Sequence, residues 1–153
     1  MRRGSIVLLS ALVLVALCLP ATSQAGSGLR FFHTADGNIN CSMYKGLKKK
    51  RHVHPRLPGS VRCDVKNHLW VAPPRPKWCD VDWGFGVQVG EKRAGSYVCA
   101  GDTVALPNSP VLATFASITL GRFTCGIPTE GVRCVNNRNG HGFEVSATSV
   151  SLF

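Results

Sequence analysis

GRFTCGIPTEGVRC, residues 121–134, reads as a β-hairpin complete in itself. Gly121 marks a turn. Phe123 and Cys125 then lie two apart, on one face of an extended strand. Ile127-Pro128-Thr129-Glu130-Gly131 supplies a hairpin loop, and Val132-Arg133-Cys134 starts the return strand. The pattern of glycine, any residue, β-former, any residue, cysteine occurs twice more, in Gly37-Asn38-Ile39-Asn40-Cys41 and Gly95-Ser96-Tyr97-Val98-Cys99. The first of these is also followed by a Val-Arg-Cys triplet, Val61-Arg62-Cys63, with Asn67 soon after it as Asn136 and Asn137 follow Cys134. Two copies of one hairpin therefore stand near the two ends of the chain.

Outward from the hairpins, Leu29–Thr34, Phe85–Val89, Thr103–Leu106, Phe115–Leu120 and Gly142–Ser146 are short β-forming runs separated by Gly, Pro and Asn. No segment shows an apolar helical period over eleven residues. VAPPRPKWC, 71–79, is too rich in proline for a helix or a central strand. The expected fold is all-β: a small disulfide-stapled sandwich or partly open barrel built from hairpins, with an internal hairpin repeat.

The chain opens with Arg2 and Arg3, an apolar run from Ile6 to Leu19, then Pro20 and Ser23-Gln24-Ala25. That is the pattern of a secretory signal peptide over residues 1–25, cleaved after Ala25. The run is shorter than the ~20 residues that a spanning helix needs. Leu17, just before Cys18, is too bulky for a lipid-attachment site. No transmembrane anchor is expected, and residues 26–153 are read as a single disulfide-bonded β domain, secreted and extracellular or associated with the cell envelope, and monomeric.

Cleavage leaves Cys41, Cys63, Cys79, Cys99, Cys125 and Cys134, an even number in an exported chain, which points to three disulfides. Zinc would want closely spaced pairs, and none is present. Six cysteines allow many pairings and spacing does not choose among them. The repeat favours Cys41–Cys63, Cys79–Cys99 and Cys125–Cys134.

The formal net charge is +10, and +8 once Arg2 and Arg3 leave with the signal. Six of these charges lie within residues 44–59, which carry no acid. In the hairpin repeat this stretch is a swollen turn, so it reads as a basic loop insertion. Lys45, Lys48, Lys49, Lys50, Arg51, His52, His54 and Arg56 are its candidate polyanion-binding residues, the histidines joining below about pH 6.5. An anionic polymer such as a wall polymer, a nucleic acid or a glycosaminoglycan is the expected partner. The alternative is a protein partner engaged through the disulfide-braced surface, as for an effector or inhibitor. The bland reading of the loop is a solvated tip.

Trp70, Trp78 and Trp83 flank the proline-rich link. Tryptophan can hold a sugar ring face to face, but the plainer expectation places all three in the core, as the large aromatics of a small β domain. Asp80, Asp82, Glu91, Asp102, Glu130 and Glu144 read as turn caps and surface ion pairs, with the Asp102 carboxylate accepting backbone N–H groups. His141 follows Asn139-Gly140, a hairpin-turn signal. No nucleophile has a recognisable setting, so no enzyme, no cofactor and no metal centre are expected.

The motifs GNINC, VRCD, DWG (82–84), CAGDT (99–103), GRFTC, GVRC and GHGF (140–143), in that order, resemble a family of small secreted actinobacterial proteins known only as a domain of unknown function. The resemblance runs from about Phe31 to Phe153. It implies a secreted, disulfide-bonded bacterial domain and supplies no catalytic residues. The first hairpin departs from the family pattern, its loop being longer than usual.

Overall fold

The computed structural model describes residues 28–48 and 56–153. Among them are ten strands and no helix. The first sheet comprises β1 (Leu29–His33), β2 (Ile39–Tyr44), β3 (Ser60–Val65), β4 (Trp83–Gly90) and β5 (Ser96–Cys99). The second comprises β6 (Ser117–Leu120), β7 (Phe123–Gly126), β8 (Val132–Asn136), β9 (Gly142–Val145) and β10 (Val150–Leu152). Each is an antiparallel meander, with strand neighbours in sequence also neighbours in the sheet. Neither closes on itself, so of the two expected architectures the molecule takes the sandwich.

Period-two alternation explains the core. Phe32, Cys41, Met43, Val61, Cys63, Val87 and Val89 from the first sheet join Phe123, Cys125, Val132, Cys134, Phe143 and Val145 from the second in one buried cluster. Burial of each large apolar side chain contributes about 1.5–3 kcal/mol. The repeat places its cysteines in this layer. Cys41 faces Cys63 across β2 and β3, and Cys125 faces Cys134 across β7 and β8. Both pairs are disulfide-bonded, with Cα atoms 4.1 Å apart in each. That is the close type of facing pair in an antiparallel ladder. The third bridge is different in kind: Cys79, in the proline-rich link, reaches Cys99 on β5. All three expected pairings are thus present.

Three expectations need correction. Thr103–Leu106 is not a strand. Its Val104 N–H donates 2.9 Å to the buried Asp64 carboxylate instead of to a ladder partner. Asp102, expected to accept backbone N–H groups, takes above all the Arg62 guanidinium at 2.8 Å, with a backbone N–H contact a lesser one, while the same guanidinium holds Asp64. The buried carboxylate therefore does the capping, and the exposed one balances its arginine. Third, none of the three tryptophans belongs to the buried core. Trp70 packs against its margin, Trp83 is half-buried, and Trp78 is 70% exposed. The core is filled instead by Phe32, Phe123 and Phe143.

Asn136, fully buried at the end of β8, ties the sheets together. Its Nδ2 donates to the carbonyls of Gly90 (3.3 Å) and Glu91 (3.1 Å), and its Oδ1 accepts the Arg138 N–H at 3.1 Å. Asn136→Ala is expected to leave these groups short of a partner and to cost about 2 kcal/mol in urea unfolding. An unchanged midpoint would show that water replaces the amide.

Candidate functional site

The basic insertion leaves the β2–β3 hairpin through a narrow neck. Leu47 and Leu57 form an antiparallel bridge, with the Leu47 N–H donating to the Leu57 carbonyl at 2.8 Å. Gly46 turns the chain into it at φ 79°, and a Cβ there would lie 2.6 Å from the Gly59 nitrogen. Only glycine combines that dihedral with so close a backbone approach. Lys45, Lys48 and Arg56 stand at this neck. Lys49, Lys50, Arg51, His52 and His54 lie outside the described residues.

The second sheet supplies what sequence reasoning missed. The β6–β7 turn, with Gly121 at φ 62°, packs against Lys45, and Arg122 follows it; Arg138 comes from the β8–β9 turn. Lys45, Lys48, Arg56, Arg122 and Arg138 line one groove of about 870 Å³. A single carboxylate, Glu91, lines it with them. The two halves of the repeat thus bring their turns to one end of the sandwich. The signal in the sequence was slight: one arginine in each of two short turns.

Glu91 is the hub. Its side chain is only 6% exposed. Its Oε1 accepts the Gly59 N–H at 2.9 Å and lies 3.4 Å from Arg122, and Arg56 pairs with its Oε2. The Gly59 N–H, with Arg122 and Arg56 adding to it, holds the carboxyl below its ordinary value of 4.5 against the opposing effect of burial. A carboxyl depressed in the folded state contributes stability above its unfolded pKa, and loses it as pH falls through the folded one. The stability gap between wild type and Glu91→Gln is therefore expected to be widest above about pH 5 and to shrink on acidification. Thermal melts of both proteins across pH check this; a gap independent of pH would show that Glu91 acts only by packing.

Beside the basic groove runs an aromatic one. His68 stacks on Trp70 at 3.7 Å, and Trp70, Tyr97, Trp83 and Trp78 follow one another at centroid distances of 5.9, 6.0 and 5.9 Å. Trp78, Trp83 and Tyr97 line a groove of about 740 Å³ that also takes in Arg56, Glu91, Lys92 and Arg93. Arg56 and Glu91 line both grooves.

The remaining candidates are plainer. Asp80 and Asp82 are exposed and precede β4. Arg133 and Glu144 form an exposed cross-strand pair at 3.1 Å. Asn139-Gly140 makes the β8–β9 turn, with Gly140 at φ 74° and the His141 carbonyl accepting the Asn136 N–H. Among the described residues no group of three or more His, Cys, Asp or Glu side chains is placed to hold a metal ion, and no helix is long and apolar enough to cross a membrane.

The model of a family described as of unknown function (DUF6636) matches residues 11–153. No curated protein and no solved structure matches the chain.

Proposed function

The chain belongs to the DUF6636 family, whose function is unknown, and from its surface we propose that it is a secreted, non-enzymatic binding module that holds an anionic polymer in the Lys45–Arg138 groove. The observation that carries this is the convergence of five cations from both sheets around one carboxylate that is already neutralised. A cluster of one sign in a concave surface focuses its field on an incoming anion. Three disulfides suit an oxidising compartment. The leader-like start and the resemblance to secreted actinobacterial proteins support export.

The test is binding of the oxidised protein to heparin over a salt series, beside a variant with Lys45, Lys48, Arg122 and Arg138 changed to Gln. Tight, salt-sensitive binding lost in the variant supports the reading. Equal behaviour of the two proteins overturns it.

One observation favours a second reading, a protein-binding effector or inhibitor. Phe115 is 81% exposed in a left-handed conformation, φ 64°, at the edge of a groove of about 470 Å³ shared with Ile127, Pro128 and Val135. An aromatic held outward at a strained position is a natural anchor for a protein partner. Such binding would be indifferent to salt and lost in Phe115→Ser.

A further inference from the structure

We infer that the polymer is an acidic polysaccharide, with a sugar ring seated on Trp78 beside Trp83 and its acidic groups carried into the cationic groove. The inference rests on the polyanion reading above and narrows it to a ligand class. Its basis is the display of Trp78. A 70% exposed tryptophan contributes little to the core. Yet the segment that bears it is braced on both sides in sequence. Pro73, Pro74 and Pro76 precede it, and the neighbouring Cys79 is bonded to Cys99 on β5. Trp83, perpendicular to Trp78 at 5.9 Å, is itself fixed by donation from its Nε1 to the Pro73 carbonyl at 2.8 Å. The ring is displayed to water from a braced segment, so a partner meeting it costs the protein backbone little conformational freedom.

What fits such a ring is a flat face that is apolar but belongs to a hydrophilic molecule. The C–H face of a pyranose has this character. The surroundings add charge: Lys92, Arg93 and Arg56 line the aromatic groove, and Arg56 passes directly into the ring of Lys45, Lys48, Arg122 and Arg138. A chain of alternating ring faces and carboxylate, sulfate or phosphate groups can follow both grooves at once. Gln88 and Ser96, also lining the aromatic groove, offer hydrogen bonds to hydroxyl groups. Single-stranded nucleic acid shares the combination of stacking and charge. The three disulfides favour the glycan, since they suit an oxidising compartment, where acidic glycans are common polymers.

The experiment measures affinity of the oxidised protein for heparin, neutral dextran, inorganic polyphosphate and an oligothymidylate, with wild type, Trp78→Ala and Trp78→Phe. Trp78 is exposed, and an unchanged thermal midpoint confirms that each variant folds. The expected result is a loss on the order of tenfold for heparin in Trp78→Ala, the scale of one aromatic contact. Trp78→Phe should recover part of it. Polyphosphate, which has charge and no rings, should bind Trp78→Ala as it binds wild type, and dextran should bind neither. If heparin and polyphosphate bind alike and Trp78→Ala weakens neither, the cationic groove stands and the polysaccharide inference falls. If Trp78→Ala weakens only the oligothymidylate, the ligand is nucleic acid and the inference is overturned. If no polyanion binds, both readings fail together.

Discussion

Reduction of the three disulfides is expected to unfold the protein. The closed loops span 22, 20 and 9 residues and do not overlap in sequence, so each bridge constrains the unfolded chain nearly independently. Loop-closure entropy gives about 3 kcal/mol for each and about 9 kcal/mol together. An ordinary domain has a total stability of about 5–15 kcal/mol. The losses should also come in order. Cys41, Cys63, Cys125 and Cys134 are fully buried and Cys79 is 2% exposed, but its partner Cys99 is half-buried at the sheet edge, the one cysteine of the six that is not buried. Mild reductant should therefore open Cys79–Cys99 first, loosening the Trp78 segment while both hairpins remain bridged. Tryptophan fluorescence would move before the far-ultraviolet circular dichroism does. A fully reduced protein that melts cooperatively near the oxidised midpoint would show that packing alone carries the fold.

The hairpins were legible because two strong local signals coincided. Ile39 with Cys41, and Phe123 with Cys125, keep the two-residue period that puts them on the inner face. Repetition of the Val-Arg-Cys triplet then named each partner strand, and with it the disulfide. What escaped has a common cause in tertiary context. β10 is a three-residue edge strand, too short for a period, and exists because β9 offers it a ladder. Thr103–Leu106 has β-forming residues, but the buried Asp64 carboxylate takes its donor. The tryptophans looked like core by size. Three phenylalanines already fill the space between the sheets, and a segment pinned by prolines and Cys79 cannot bring Trp78 inward. The basic loop was visible as composition, but the groove was not. Arg122 and Arg138 are lone charges in turns, and only the packing of one repeat on the other puts them beside Lys45.

Neutralising the groove is expected to weaken binding and flatten its salt dependence, and the share due to each hairpin can be separated. Each cation that displaces a counterion from a polyanion adds about 0.7–0.9 to the slope of log affinity against log salt. Changing Lys45, Lys48, Arg122 and Arg138 to Gln should lower that slope by about 3 and reduce heparin affinity on the order of 100-fold near physiological salt. Arg56 is left in place because it pairs with the buried Glu91, whose carboxylate would otherwise lose a partner. The decisive variant is Arg122→Gln with Arg138→Gln, which leaves every residue of 44–59 unchanged. If the groove is the site, this pair alone should take about 1.5 from the slope. Arg122 also lies 3.4 Å from Glu91, so a thermal melt of the double variant must accompany the titration. A folded double variant with the wild-type slope would place binding in the loop alone. A loop variant with Lys49, Lys50 and Arg51 changed to Gln supplies the complementary arm: on the groove reading it weakens binding without removing it. If that variant instead lost all affinity, the contribution of the second sheet would be refuted, and the convergence of the two turns would be a matter of packing rather than recognition.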